Sequence, residues 1–269
     1  MITIIKSFII TIIALFTLGT LFYYLFQRQL IYFPDRNRPL FAPAKALGFD
    51  QVTLQTQDNL TLNAWYHPAK ANYPTIVHFH GNAGNIGVRL YLAQQLNRLG
   101  YGMLLVDYRG YGGNPGSPSE KGLYLDGEAA MAFLASKQIP QIKQVIFGES
   151  LGTGIAIEMA KRHTVCSLIL QSPFLSLPAI ARYHYPWLVI PPRDKFDSAS
   201  KISTVATPLL VIHGNKDTIV PFEQGKSLFD KAQGPKQLVS YPFGTHLNLW
   251  TPDFFSQIDQ FLQAHCHST

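Results

Sequence analysis

Ser150, Asp217 and His246 are the residues whose types and order could do chemistry in this chain. Ser150 lies in VIFGESLGTG (Val145 to Gly154), an apolar β-rich run that breaks at a glycine, presents a serine and turns into a helical pattern. A strand, a glycine turn and a helix N-terminus together can hold a phosphate, a dinucleotide or a nucleophile. The phosphate reading needs G-x-x-x-x-G-K-[ST], and after Gly148 no lysine follows until Lys161. The nucleophile reading needs G-x-S-x-G, which Gly148, Ser150 and Gly152 supply. About one chain in ten of this length would carry that pattern by chance at average residue usage, so the surrounding elements must decide.

A serine hydroxyl is a weak nucleophile at neutral pH. It needs a general base, and the base needs an orienting carboxylate. In a strand-to-helix elbow these follow in the order serine, acid, histidine. Asp217 stands in VIHGNKDTIVP directly after an apolar run, and His246 in YPFGTHLNLW just after the last one, so the order is met. Asp107 ends a strand but precedes the serine, which suits a carboxylate that accepts hydrogen bonds from loop amides. Glu149 adjoins Ser150, where side chains on a tight turn diverge. His213 reads as a buried, hydrogen-bonded imidazole, His78 and His80 alternate along one strand, and His67, His163 and His184 lack an acid partner in the required order.

Acyl transfer also needs donors for the developing oxyanion. The backbone N–H of Leu151, first in the helix behind the nucleophile, is one. The second is expected after the strand in HFHGNAGN, from the amide of Asn82, with Ala83 as the alternative. The same stretch imitates a dinucleotide site, because Gly81, Gly84 and Gly87 follow a strand and Asp107 lies twenty residues beyond Gly87. Its spacing is G-x-x-G-x-x-G rather than G-x-G-x-x-G, and that reading leaves Ser150, Asp217 and His246 without a role.

The elements that must position these residues are legible in the hydrophobic rhythm. QVTLQT and LTLNAWYHP flank QDN as a hairpin from about residue 51 to 68. Apolar runs of strand length follow at 75–80, 102–108, 144–150, 167–174, 208–214 and 237–242, separated by amphipathic stretches at 86–99, 119–137, 151–162, 221–231 and 252–263. Near-continuous apolar strands alternating with helices predict a parallel sheet covered on both faces. The connection at 175–207 is too long for a plain crossover and rich in proline and aromatics, so it reads as a small cap over the strand ends, with Tyr183, Tyr185 and Trp187 shaping the acyl site. A packed surface excursion is the alternative for it.

Residues 7–27 carry no charge and, as a helix rising about 1.5 Å per residue, reach about 30 Å, the thickness of a hydrocarbon core. A cleaved signal peptide would have a shorter apolar region ending in a small-x-small site; this one ends in FYYLFQRQ. Residues 1–28 therefore read as a membrane anchor and 29–269 as one soluble domain. Lys6 on one flank and Arg28, Arg36 and Arg38 on the other leave the orientation open. The net charge of +6 is scattered with no basic stripe, so no nucleic-acid partner is expected, and an anionic lipid surface is the better match. Cys166, in an apolar run, and Cys266, near the carboxyl end, suggest no disulfide framework, and HCH at 265–267 reads as a tail rather than a metal site.

Taken as a set, HFHGNAGN, DYRGYG, GSPSEKGLYLDGEAA, FGESLG, SPFLSLP, KFDS, VIHGNKDTIVP and GTHLN resemble the α/β-hydrolases. More narrowly they resemble a membrane-anchored subgroup similar to the serine aminopeptidase-like hydrolases, which includes protein depalmitoylases. The resemblance covers the chain from about Val52 onward. It implies an eight-stranded, mostly parallel sheet with the second strand antiparallel, a helical cap after the sixth strand, Ser150, Asp217 and His246 as a triad, and no cofactor. Two residues depart from the pattern: Asn114, where relatives often carry serine, and Glu149, which would raise the negative potential near the histidine. The expected activity is hydrolysis of an ester or thioester in a small molecule, a lipid or an acylated protein. A serine aminopeptidase-like amide hydrolase and a non-catalytic binding protein of the same fold are the alternatives.

Overall fold

The computed structural model describes residues 2–188 and 190–266; His267 of the HCH tail lies outside the described residues. The chain opens with α1 (Ile2–Ile31), which is followed by β1 (Phe33–Pro34) and α2 (Ala42–Ala46). The hairpin is β2 (Asp50–Gln55) and β3 (Thr61–His67), closed by a turn in which Asn59 takes φ 65° and the Thr56 N–H donates to the Leu60 carbonyl. Alternation then sets in: β4 (Thr75–Phe79), β5 (Ala83–Gly84), α3 (Leu90–Leu99), β6 (Gly102–Val106), α4 (Glu120–Ser136), β7 (Gln144–Glu149), α5 (Leu151–Arg162) and β8 (Ser167–Gln171). After β8 come α6 (Leu177–His184), α7 (Ser198–Ile202), β9 (Leu209–Gly214), α8 (Phe222–Lys231), β10 (Lys236–Tyr241) and α9 (Pro252–Cys266).

Eight strands form one sheet in the order β2-β3-β6-β4-β7-β8-β9-β10, and β1 pairs with β5 in a two-stranded ribbon. β3 runs antiparallel to both of its neighbours, and every other pairing in the large sheet is parallel. The central strands β4, β6 and β8 are buried along their whole length because both sheet faces are covered. Side chains alternate between two cores. Val77, Leu104, Val106, Ile146 and Leu168 face α4 and α5, whereas Ile76, Met103, Leu105, Phe147 and Ile169 face α3 and α9. Helix starts are fixed by short polar side chains: Ser119 caps α4, Ser176 caps α6 and Asp197 caps α7, each accepting a backbone N–H of the first turn.

The connection from β4 leads to β6 on one side, and the connection from β7 leads to β8 on the other. The carboxyl ends of β4 and β7 therefore flank the point where strand order reverses, the place where open α/β sheets bind ligands. The 175–207 connection holds α6 and α7 with irregular chain between them, so it is only partly helical.

The cysteine reading is corrected. Cys166, just before β8, and Cys266, the last residue of α9, form a disulfide with a Cα–Cα separation of 5.6 Å. A separation of 100 residues in sequence carried no sign of it; the packing of α9 on the sheet beside β8 brings the two together.

Candidate active site

Ser150 occupies the turn between β7 and α5 with φ 50° and ψ −115°. A non-glycine residue there is strained, and its neighbours enforce the geometry. A Cβ on Gly148 would lie 2.6 Å from the Gly152 carbonyl oxygen and 2.7 Å from the Ala156 Cβ, and one on Gly152 would collide with the Phe79 carbonyl at the end of β4. The glycines thus let α5 pass directly against two strand ends. The Ser150 N–H donates to the Gln171 carbonyl at 2.9 Å, and the Thr153 hydroxyl donates to the Ser150 carbonyl at 2.6 Å.

The loops after β9 and β10 deliver the other two predicted residues. His246 Nε2 lies 2.9 Å from Ser150 Oγ, and His246 Nδ1 lies 2.7 Å from Asp217 Oδ2. Asp217 Oδ1 accepts the N–H groups of Ile219 and Val220 at 2.9 and 2.8 Å, which fixes the carboxylate in its loop. Burial alone would raise the Asp217 carboxyl, but hydrogen bonds to His213 and His246, with the charge of His246, hold it well below the usual carboxylate range. His213 is buried as expected, and its Nε2 is 2.9 Å from the Val220 carbonyl and 3.4 Å from Asp217 Oδ2. A hydroxyl, an imidazole and an ionised carboxylate in this linear chain can move a proton from oxygen to nitrogen while the carboxylate holds the imidazole tautomer.

Of the two expected oxyanion donors, Leu151 opens α5, where helix geometry leaves its N–H without an intrahelical partner, and Asn82 lies just past β4. The Asn82 side chain is committed elsewhere. Its Nδ2 donates to the Ile31 carbonyl, and its Oδ1 accepts the Phe33 N–H at 3.4 Å and the Tyr111 hydroxyl at 3.2 Å. The Tyr111 hydroxyl also lies 2.9 Å from the Asn82 carbonyl. The loop is thereby clamped from both sides. Asp107 takes the structural part expected of it, its Oδ1 accepting the Ile86 N–H at 3.1 Å.

Glu149 corrects one expectation. Its carboxylate is held by Arg89 through Nε at 3.1 Å and Nη2 at 2.9 Å, while Arg89 Nη1 donates to the Ala83 carbonyl at 2.8 Å. Burial favours the neutral acid, yet the charge and hydrogen bonds of Arg89 prevail and lower the carboxyl to about 2. The negative potential expected beside the histidine is therefore offset by a bound guanidinium. Arg89 was missed in the sequence because it sits in an amphipathic stretch where a charged residue reads as solvent-facing; it is instead buried. The same residue fills the glycine loop that imitated a dinucleotide site, and a Cβ on Gly87 would lie 2.9 Å from Pro39 Cβ, so that loop is covered by the chain itself.

A cavity of about 330 Å³ is lined by His246 together with Ala83, Gly84, Arg89, Glu149 and Trp250. Of the three predicted cap aromatics, Tyr185 and Trp187 line a larger cleft of about 700 Å³ against α1, and Tyr183 is exposed near the end of α6, outside that lining.

A family model described as serine aminopeptidase, S33, matches residues 70–191. An uncharacterized protein of Mycobacterium tuberculosis is 38% identical over 240 residues, spanning 87% of this chain and 85% of its own. An uncharacterized membrane protein of Saccharomyces cerevisiae is 30% identical over 256 residues, spanning 90% of each. The chain belongs to the α/β-hydrolase superfamily. The fold of this α/β-hydrolase is similar to that of an esterase from Pyrococcus furiosus, Pf2001, with a TM-score of 0.72 at 20% identity over 88% of this chain and 98% of the other. The residues of the α/β-hydrolase that approach one another from three distant loops, 150, 217 and 246, all follow the carboxyl ends of parallel strands.

Proposed function

We propose that this α/β-hydrolase is a membrane-tethered serine hydrolase that cleaves ester or thioester bonds through an acyl-enzyme. The hydrogen-bonded chain Ser150–His246–Asp217, at 2.9 and 2.7 Å, carries this reading. His246 Nε2 takes the proton of Ser150 as Oγ attacks the acyl carbonyl. The oxyanion is received by the amides of Leu151 and Asn82. His246 then protonates the departing alcohol or thiol, leaving the acyl group on Ser150. Water, deprotonated by His246, hydrolyses that ester and restores the hydroxyl. Asp217 stays ionised throughout and stabilises the imidazolium. No metal or organic cofactor is needed for these steps.

The 28-residue span Ile4–Ile31 of α1 is long and apolar enough to cross a bilayer, its apolar side chains stand exposed, and the yeast relative is named a membrane protein; these support anchoring by residues 1–28, with the hydrolase domain from residue 29. The Cys166–Cys266 disulfide favours the oxidising face of that membrane for the domain. The aminopeptidase alternative would use a free carboxylate to hold the substrate amine, and the pairing of Glu149 with Arg89 disfavours it.

Labelling with a fluorophosphonate probe tests the nucleophile. The wild type should react, and Ser150→Ala should not, with loss of hydrolysis of a soluble ester by about 10³-fold or more. Equal labelling of both proteins would remove Ser150 from its role, and an unreactive wild type would favour a binding protein.

A further inference from the structure

The membrane helix does not stand clear of the domain. At its base Arg28 forms a bidentate pair with Asp194, Nε to Oδ2 at 2.9 Å and Nη2 to Oδ1 at 3.0 Å, and the Tyr32 hydroxyl donates to the same carboxylate at 2.9 Å. Gln27 Oε1 accepts the Arg193 N–H at 2.6 Å. Beside this latch α1 and residues 185, 187, 188, 190 and 192 line the cleft of about 700 Å³, a size within the roughly 300–1,000 Å³ of ligand sites. Phe16, Gly19, Tyr23 and Leu30 form its helix wall at helical spacing, and Tyr185 and Trp187 stand opposite.

Two features say what fits there. One wall is the face of a helix long and apolar enough to lie in hydrocarbon, so the cleft opens sideways toward acyl chains rather than toward water. It reaches Ile31 and Phe33, whose backbone groups are hydrogen-bonded to the side chain of Asn82, one of the two proposed oxyanion donors. Trp187, on the cap side of the cleft, is 74% exposed, and Phe243 and Leu247, both 85% exposed, lie near His246 in the loop after β10. An apolar rim of this kind belongs against a lipid surface.

We propose that the α1–cap cleft binds the long acyl chain of a substrate embedded in the bilayer, so that the anchor forms part of the substrate site. This rests on the serine hydrolase reading above. The chain enters laterally between α1 and Trp187, and its carbonyl end reaches Ser150 past Phe33. Gly19 allows a direct test, since a Cβ there meets nothing within 4 Å and a larger side chain projects into the cleft without a clash.

The experiment uses the full chain in phosphatidylcholine nanodiscs with p-nitrophenyl esters of graded acyl length. Wild-type kcat/KM should rise with chain length by up to about fourfold per methylene while the added groups enter the cleft. In Gly19→Trp the ratio of kcat/KM for the hexadecanoyl over the butanoyl ester should fall at least about tenfold, the worth of roughly two methylenes, with Gly19→Leu intermediate. Ala14→Trp, on the same helix outside the cleft, should keep the wild-type ratio. An unchanged ratio in Gly19→Trp, with fluorophosphonate labelling of Ser150 intact, would overturn the cleft assignment and leave the hydrolase reading standing. An equal fall in Ala14→Trp would also overturn it, by tracing the effect to the helix in general. Failure of the wild type to label would strike the hydrolase reading instead.

Discussion

Ser150, the proposed nucleophile, has a backbone conformation of the kind that costs about 1–3 kcal/mol, and that cost is carried by the packing of Gly148 and Gly152 against their neighbours. Beside it, Glu149 and Arg89 form a buried pair that also fixes the Ala83 carbonyl. Removing one member leaves the other charge uncompensated, so Glu149→Gln should cost about 3–5 kcal/mol at neutral pH, and adding Arg89→Met should recover part of it. The pH dependence has a definite sign. The carboxyl falls from 4.5 to about 2 on folding, so its stabilisation is fully present above pH 4.5 and is lost as pH drops toward 2. Thermal melts across that window should therefore decline more steeply for the wild type than for the double variant. A similar slope in both would separate this pair from the acid sensitivity. Because Arg89 holds the Ala83 carbonyl in the loop proposed to supply an oxyanion donor, Arg89→Met should also lower kcat on a soluble ester by up to about 10²-fold with little change in KM.

Among the elements, the shortest have the largest bearing on the site. β1 is a two-residue strand, yet its pairing of Phe33 with Ala83 and Pro34 with Gly84 joins the end of α1 to the loop that carries Asn82. The disulfide does comparable work at the opposite end of the sheet, tying the entry to β8 to the last turn of α9. Closing a loop of 100 residues is worth about 4.7 kcal/mol in the chain-entropy account. Reduction, or Cys166→Ser with Cys266→Ser, should lower the melting temperature by on the order of 10 °C. The bond is remote from Ser150, so labelling of the folded protein should persist; a melting temperature indifferent to reductant would show that the bond carries little of the stability.

At the scale of the whole molecule, the Asn82 side chain ties the end of α1 to the loop after β4, at the sheet end that carries Ser150, Asp217 and His246, so the proposed anchoring would set the mouth of the proposed site against the bilayer. Arg28 lies at the C-terminal flank of the helix but is paired to Asp194, so it contributes less free charge there than the sequence suggests. The disulfide then favours an orientation with the domain on the oxidising side. Protease added to sealed right-side-out vesicles should digest the domain, and its two cysteines should resist alkylation until reduced. Protection of the domain, with both thiols alkylated at once, would reverse the orientation.

The sequence alone determined the order and type of nearly every element, because a two-sided parallel sheet imposes apolar runs of strand length separated by amphipathic helices, and both signals are local. It also singled out Ser150, Asp217 and His246, which the fold brings into hydrogen-bonding distance, since the elbow glycines and the order of the chain are visible without coordinates. What it did not carry was anything settled by the meeting of distant surfaces. Arg89 reads as a solvated helix residue until β7 places a buried carboxylate opposite it; Cys166 and Cys266 read as unrelated until α9 docks beside β8; and the α1–cap cleft does not exist until Arg28 finds Asp194. Local periodicity records which face of an element is buried, but not against what, and only the tertiary structure decides that.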